Sequence, residues 1–201
     1  MLGTRSRRQR EKRTPQNFAH RRKREHELLR SFRRVAEIQK LCPETIIISV
    51  GDREADIYEL FLEATKDPHG SKLLVRAAKS RERKVEQESL WEYMGGLGIA
   101  GSLTIRLPRR DEKKARDANV NFRFAPVELT PPKGKGYKPI NKWAVYVTES
   151  EPSESPVDWM LLTTAEVKDF EDAKQRVEWY TVRWGIEIYH RTLKRVMSPS
   201  Y

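Results

Sequence analysis

The sequence predicts an α/β fold in which helices flank a mixed β-sheet. Residues 45–50 form a short, apolar, β-branched run, as expected for a strand buried on both faces, and residues 72–77 read as the next strand. Helical periodicity precedes the first run, separates the two, and returns in a long segment that closes the chain. Strands that alternate with helices are typical of α/β sheets.

The first helix is predicted from residue 17 to the Cys42-Pro43 pair. Much of its surface outside the apolar positions is arginine and lysine, so its outer face is basic. Residues 1–16 before it read as a basic arm. The apolar positions that recur at helical spacing are Phe18, Leu28, Leu29, Phe32, Val35, Ala36 and Ile38.

Positive charge is concentrated at the start of the chain. The net charge of the 201 residues is +11, and residues 1–40 hold 14 Lys or Arg against 4 Glu, so the remaining residues are nearly neutral. A basic block of this kind indicates a polyanion partner, most simply nucleic acid. The alternative is a disordered tail that only aids solubility.

Composition also excludes several classes of protein. Cys42 is the one cysteine, which excludes an intrachain disulfide framework and a cysteine-based zinc site. Residues 1–13 are too basic for a secretory signal, and no apolar run reaches the roughly 18 residues of a membrane span. We therefore expect a cytoplasmic protein that binds nucleic acid and has no membrane partner.

Acidic residues follow the first predicted strand directly, in the run GDREAD at residues 51–56. Residues just beyond the carboxyl end of a strand lie in the crevice where α/β proteins bind ligands, which makes Asp52 a candidate metal ligand. Asp52 and Glu54 could equally cap the helix that follows. The roles could also be divided, with Asp52 on the metal and Glu54 or Asp56 on the helix.

In the middle of the chain the predicted pattern changes from strands that alternate with helices to antiparallel strands alone. Arg76 and Lys79 lie at and just beyond the carboxyl end of the strand predicted at 72–77. A short helix is expected over 88–94. Residues 100–107, 118–129 and 143–147 read as antiparallel strands separated by polar or Pro/Gly turns. We predict a basic arm at 1–16, a first core part at 17–98, a β-rich insertion at 99–155, and a last core strand and helix at 156–201.

The last helix, expected over 168–197, gathers unusual side chains on one face. Tyr180, Glu187 and Lys194 are seven residues apart and therefore share one stripe, with Arg183 and Trp184 to either side. An aromatic ring, a guanidinium, a carboxylate and an ammonium suit a phosphate held beside a metal-binding carboxylate. The alternative interpretation is a solvated face of an amphipathic helix.

Two separated motifs resemble a known family. The run VGDREADIY at residues 50–58 resembles the second-aspartate segment of bacterial DDE transposases of the insertion-sequence-four group, to which transposon five belongs. Tyr180, Arg183, Glu187 and Lys194 reproduce the Tyr-Arg-Glu-Lys signature of that group at every gap. The resemblance extends from about residue 20 to residue 197, and the β-rich insertion is its weakest part.

The resemblance implies a ribonuclease-H-like fold with a β insertion before the catalytic helix. In that family two aspartates and one glutamate hold two divalent ions, usually Mg²⁺ with Mn²⁺ as the alternative, for phosphodiester hydrolysis and strand transfer at transposon ends. Two ions about 3.5–4 Å apart activate a water and stabilise the leaving oxygen. Asp52 would be the second aspartate and Glu187 the glutamate.

The resemblance also implies which residues contact double-stranded DNA. Tyr180, Arg183 and Lys194 would hold the phosphate near a flipped base. The indoles of Trp184 and Trp159 would stack on that base or displace it, although each tryptophan could instead be a core residue. Arg76 and Lys79 match basic positions that approach DNA in the family, with simple solvation as the alternative.

The sequence departs from the family in one decisive way: residues 1–51 contain no aspartate, so the first metal ligand is lacking. By the same resemblance we expect the family's N-terminal DNA-binding domain and its C-terminal dimerisation helices to be absent as well. We therefore expect a catalytic core incomplete at both ends, with an exposed sheet edge and little or no strand cleavage. The intact protein would be a homodimer at the bacterial nucleoid. The alternative is a non-catalytic DNA-binding remnant that interferes with an intact transposase.

Overall fold

The computed structural model describes residues 15–108, 114–151 and 153–197. The helices are α1 (Pro15–Leu41), α2 (Tyr58–Ala64), α3 (Leu90–Gly96) and α4 (Phe170–Met197). The strands are β1 (Ile48–Gly51), β2 (Lys72–Arg76), β3 (Lys84–Val85), β4 (Glu88–Ser89), β5 (Gly101–Leu107), β6 (Arg116–Leu129), β7 (Ile140–Glu149) and β8 (Asp158–Thr163). Two short 3₁₀ turns, Arg53–Ala55 and Lys79–Arg81, follow β1 and β2.

The eight strands form one mixed sheet in the order β1-β2-β8-β7-β6-β3-β4, with β5 paired to β6. The pair β1 and β2 is parallel, and the other pairs are antiparallel. The predicted α/β class is thus confirmed as a mixed sheet flanked by helices, an arrangement compatible with a ribonuclease-H-like fold. Strands β5, β6 and β7 belong to the same sheet as β1 and β2.

A separate hydrophobic core lies on each face of the sheet. One core joins α1, α2 and α3 to the sheet and includes the fully buried Phe61, Leu90 and Met94. The other packs α4 against the sheet through residues such as Val177 and Tyr180. Neighbouring residues of β2 point into opposite cores, as alternation along a strand requires. The sheet is therefore the middle layer of the molecule.

Strand β1 occupies one end of the strand order. Among the described strands it pairs only with β2, and all four of its residues are half-buried. Ile46, just before it, is exposed. The prediction of a strand buried on both faces is therefore wrong for β1, because a buried strand needs neighbours on both sides. The strand that is buried on both faces is β2, because Leu73, Leu74 and Val75 are all buried.

Several element boundaries differ from the sequence prediction. Strand β7 extends on both sides of the expected 143–147 because it pairs without interruption with β6, from Val120↔Glu149 to Leu129↔Ile140. The short hairpin of β3 and β4 was not predicted, and α3 begins at Leu90 because Ser89 caps it in a capping box with Glu92. Predictions for α1, α2 and α4 agree with the structure to within a few residues.

The loop from α1 to β1 is held by one buried amide. The side-chain nitrogen of Gln39 donates to the carbonyl oxygens of Cys42 and Thr45, and its oxygen accepts from the amide of Ile47. These bonds satisfy loop backbone groups that would otherwise lack partners. The end of α1 is thereby attached to the start of β1.

Within the described residues, no helix combines the length and the apolar character that crossing a membrane requires.

Candidate functional site

The site is built around Asp52, which directly follows β1. Its side chain accepts a hydrogen bond of 2.8 Å from the amide of Arg53 and so caps the 3₁₀ turn that follows. Gly51 permits this tight path, because a Cβ at that position would lie 2.5 Å from the Cβ of Ala55. The strand therefore ends in a turn that presents the carboxylate at the edge of the sheet.

The two other acids of the same run have structural roles. Asp56 is fully buried, and its carboxylate accepts from the amide of Ala78 and from the guanidinium of Arg83. Glu54 forms an ion pair of 2.5 Å with Arg24 of α1. The sequence left open whether Asp52, Glu54 or Asp56 caps the turn after β1. In the structure Asp52 is the cap, and Asp56 forms a buried ion pair with Arg83.

Helix α4 brings two predicted site residues onto Asp52. The hydroxyl of Tyr180 donates to Oδ1 of Asp52 across 3.3 Å, and Nη2 of Arg183 lies 3.5 Å from Oδ2. The guanidinium of Arg183 also lies over the Tyr180 ring, 5.5 Å from its centroid. Because the two residues are one helical turn apart, a single face of α4 contacts both carboxylate oxygens.

Strand β2 contributes basic side chains at the same end of the sheet. The parallel register Gly51↔Val75 places the next residue, Arg76, beside Asp52. Nη2 of Arg76 donates to the carbonyl oxygen of Asp158 across 3.2 Å, and the ammonium of Lys79 forms an ion pair with the Asp158 carboxylate. The candidate site therefore extends from Asp52 across β2 to the start of β8.

Asp158 was not singled out from the sequence. It begins β8, which runs antiparallel to β2 with Arg76 opposite Leu161, so that Asp158, three residues earlier, lies beyond the end of β2. Its carboxylate also contributes, after burial, to raising the pKa of Tyr146 to about 12. The available signal was an acid at the start of an apolar strand, and only knowledge of the strand order could have linked it to Arg76 and Lys79.

Asp52 is held as a carboxylate. Burial by itself raises its pKa, but the hydrogen bond from the Arg53 amide and the charges of Arg183, Arg76 and Arg53 outweigh burial, so its pKa lies below the ordinary value. The side chain is 29% exposed, which leaves it accessible from solvent. The site therefore combines the acidic side chains of Asp52 and Asp158 with a larger number of cationic groups, a combination suited to phosphate.

Trp159 lies in the core behind Tyr180. The two rings meet edge to face, with centroids 5.5 Å apart and planes at 62°, and the indole is 6% exposed. At that exposure it offers almost no surface to a nucleic-acid base. The interpretation of Trp159 as a core residue that supports Tyr180 agrees with this placement.

The remaining predicted residues are Trp184, Glu187 and Lys194. Their backbone belongs to α4, which is continuous to Met197 as the sequence predicted. Their side chains lie outside the described part of the structure.

The donor chemistry of Asp52 fits Mg²⁺ or Mn²⁺. Both are hard cations that take carboxylate oxygens, and a carboxyl group with a lowered pKa has no proton to displace. Among the side chains that the structure describes, no group of three or more His, Cys, Asp or Glu residues could hold a metal ion. The described residues thus supply one oxygen ligand of the metal set that the sequence suggests.

A comparison of the chain with models of known protein families finds no match.

Proposed function

We propose that this chain is the catalytic core of a DDE-type transposase of the insertion-sequence-four group, whose members cut and join DNA at transposon ends, and that strand cleavage by this chain itself is weak. The observation that supports the proposal most strongly is the convergence of Tyr180 and Arg183 on Asp52. These residues were selected from two motifs 128 residues apart, and the fold brings their side chains into contact. If the charged face of α4 were only solvated, there would be no reason for Tyr180 and Arg183 to contact Asp52.

In this proposal Asp52 and Glu187 would supply carboxylate ligands to the two divalent ions. Bound there, Mg²⁺ or Mn²⁺ would activate a water and stabilise the leaving oxygen of the phosphodiester. The protein's own part is to hold the Asp52 carboxylate in one orientation. Oδ1 accepts from the Arg53 amide and the Tyr180 hydroxyl, and Arg183 lies beside Oδ2. Hydrogen bonds of this kind, made to the carboxylate and not to the ion, orient a metal ligand and maintain its charge.

The basic residues around Asp52 bind the DNA backbone. The positive charges of Arg183 and Arg76 lie close enough to Asp52 to lower its pKa. The side chain of Lys79, which is 67% exposed, lies beside Asp158 and extends into solvent. Lys194 and Trp184, further along α4, would contact the phosphate and the flipped base. Phosphate contacts of this type position a duplex relative to the reacting bond without reading its sequence.

A second function is a non-catalytic DNA-binding protein that occupies transposon ends. It is favoured by the contacts of Asp52, because its oxygens already face the Tyr180 hydroxyl and the Arg183 guanidinium, and basic side chains bind phosphate without a metal. Both functions require DNA binding at the same basic surface. They differ in whether this chain by itself cleaves the strand.

The test combines metal binding, DNA binding and cleavage in three proteins: the wild-type chain, Asp52→Asn, and the matched control Asp117→Asn on an exposed part of β6. We expect Mn²⁺ binding, followed by electron paramagnetic resonance, to weaken at least tenfold in Asp52→Asn alone. DNA affinity should stay within about threefold. Mg²⁺-dependent nicking by wild type that is lost in Asp52→Asn supports the transposase, whereas DNA binding without nicking supports the second function. If wild-type chain does not bind duplex DNA, both are wrong.

A further inference from the structure

The outward face of α1 carries a stripe of basic residues. Phe32 and Gln39 mark the inward face, since both are buried. Lys23 precedes Phe32 by nine residues and Arg30 precedes Gln39 by nine, and nine residues at about 100° each amount to half a turn beyond two full turns. Lys23, Arg30 and Arg34 are therefore on the side of α1 opposite the core, and all three are exposed.

Three other basic residues of the helix, Arg24, Arg33 and Lys40, are already engaged in ion pairs. Arg24 and Arg33 pair with Glu54 and Glu63, respectively. Lys23, Arg30 and Arg34 form no ion pair with any residue that the structure describes. Their charge is therefore available to a partner. Two acids lie along the same side of the helix, Glu27 within the stripe and Glu37 seven residues after Arg30, where it pairs with Lys40. The stripe itself therefore carries three positive charges and one negative charge.

Two ion pairs attach the beginning of α1 to the candidate site. Arg24 pairs with Glu54 in the turn that follows Asp52, at 2.5 Å, and Glu25 pairs with Arg81 in the turn that begins with Lys79, at 3.8 Å. The N-terminal half of α1 therefore forms ion pairs with the turn after β1 and with the turn after β2, which both border the site. Its basic stripe begins beside the site and continues along the helix away from it.

We propose that this stripe, made of Lys23, Arg30 and Arg34, is a second docking surface for the phosphate backbone of the duplex bound at Asp52. The inference rests on the proposed function and adds where the flanking DNA lies. The stripe covers twelve residues, and the eleven steps between its ends amount to about 16 Å of helix at 1.5 Å per residue. That length corresponds to about five base pairs at 3.4 Å each.

The salt dependence of DNA affinity tests this surface directly. Each phosphate contact that a protein makes contributes about 0.9 to the slope of log K against log salt, so losing three contacts lowers the slope by about 2 to 3. We compare wild type with Lys23→Ala/Arg30→Ala/Arg34→Ala by fluorescence anisotropy on a 30-base-pair duplex between 50 and 200 mM salt. The expected result is the lower slope and an affinity about tenfold weaker at 100 mM salt.

The matched control is Lys114→Ala/Lys133→Ala/Lys138→Ala, which removes the same charge from exposed positions between strands. Alanine is a strong helix former, and circular dichroism verifies that α1 persists in the triple variant. An equal loss of slope in the control would mean that only net charge matters, and would overturn the proposal.

A third variant separates the α1 surface from the proposed function. If Lys79→Ala weakens binding while the α1 variant keeps the wild-type slope, the α1 surface is wrong and DNA binding at the site stands. If the α1 variant loses slope while Asp52→Asn leaves both metal binding and nicking unchanged, the docking surface stands and the proposed catalytic site is wrong.

Discussion

The hydroxyl of Tyr180 donates a hydrogen bond of 3.3 Å to Oδ1 of Asp52, although 128 residues separate them in the sequence. This bond joins the last helix to the turn at the free edge of the sheet. Tyr180 is almost completely buried, and its ring rests against Trp159. The core on this face of the sheet and the candidate site therefore share one side chain, so that changes in either should affect the other.

Removing only the Tyr180 hydroxyl should separate these two contributions. Tyr180→Phe keeps the ring against Trp159 and loses one hydrogen bond, so we expect the free energy of unfolding to fall by about 1 kcal/mol. Tyr180→Ala should cost about 3 to 5 kcal/mol because it also leaves a cavity. Urea denaturation measures both values. Tyr93→Phe, at a half-buried position on α3, is the control, and equal losses from both Phe variants would show that the bond to Asp52 adds nothing.

Gly51 should not tolerate a side chain. A Cβ there would lie 2.5 Å from the Cβ of Ala55, in the turn that carries Asp52. We expect Gly51→Ala to lower the free energy of unfolding by about 1 to 3 kcal/mol through overpacking. Gly95→Ala is the control, because a Cβ in α3 at that position meets nothing within 4 Å and should be neutral or stabilising.

A double variant tests the cause of the Gly51 effect. Ala55→Gly removes the atom that the new methyl group would strike, so adding it to Gly51→Ala should recover part of the lost stability. Strictly additive losses in the double variant would contradict a clash between the two positions.

Lys142 should make stability rise with pH. It is buried in β7, its ammonium has no hydrogen-bond partner among the described residues, and burial lowers its pKa to about 8 from an ordinary 10.5. Between these two pH values the unfolded chain binds more protons than the folded chain, so the free energy of unfolding increases with pH there. Below pH 8 the whole cost of burial is present.

Replacing Lys142 by methionine should remove that cost. We expect Lys142→Met to stabilise the chain at pH 7 by about 2 to 3 kcal/mol and to abolish the rise between pH 8 and 10.5, as measured by urea denaturation across this range. Lys138→Met, at an exposed position, is the control. A Lys142→Met variant no more stable than wild type at pH 7 would contradict the prediction.

Glu149 should contribute to acid denaturation. Both of its oxygens accept from the Arg116 guanidinium, at 2.5 and 2.8 Å, and these hydrogen bonds are the main cause that lowers its pKa to about 2. Because the folded pKa is below the ordinary 4.5, this stabilisation is present above pH 4.5 and is lost as the pH falls toward 2.

The corresponding variant is Glu149→Gln. We expect it to lower the free energy of unfolding by about 2 kcal/mol at pH 7 and to have less effect at pH 3, since hydrogen bonds to charged groups are worth about that much. Thermal denaturation at both pH values measures the difference. The exposed Glu88→Gln is the control, and a loss for Glu149→Gln that is as large at pH 3 as at pH 7 would rule out a role for the charge.

Local chemistry made several features predictable. The β-branched run before Asp52 and the helical spacing from Phe170 onward are strong local signals, and both elements occur where the sequence indicates. The apolar spacing of α1 is a signal of the same kind, and Phe32, one of the positions that it includes, is buried. Such patterns depend on residues that are close in the chain, and they need no knowledge of the partner surface.

Side-chain contacts between segments that are distant in the sequence were not predictable in the same way. Asp56 looked like a helix cap, yet it forms a buried ion pair with Arg83, 27 residues away. Asp158 looked unremarkable, yet it lies beside Arg76 and Lys79 because β8 pairs antiparallel with β2. In both cases the strand order selected the partner.

Three features follow from the pattern of nearby residues alone: the α/β class, the position of Asp52 after a strand, and the presence of Tyr180 and Arg183 on one side of a helix. The folded arrangement was needed to show that these two side chains contact Asp52, that Trp159 is buried behind Tyr180, and that β1 lies at one end of the described strand order. The physical reason is that contacts between distant segments follow from strand order and register, and the pairing energy that selects them is distributed over the whole sheet.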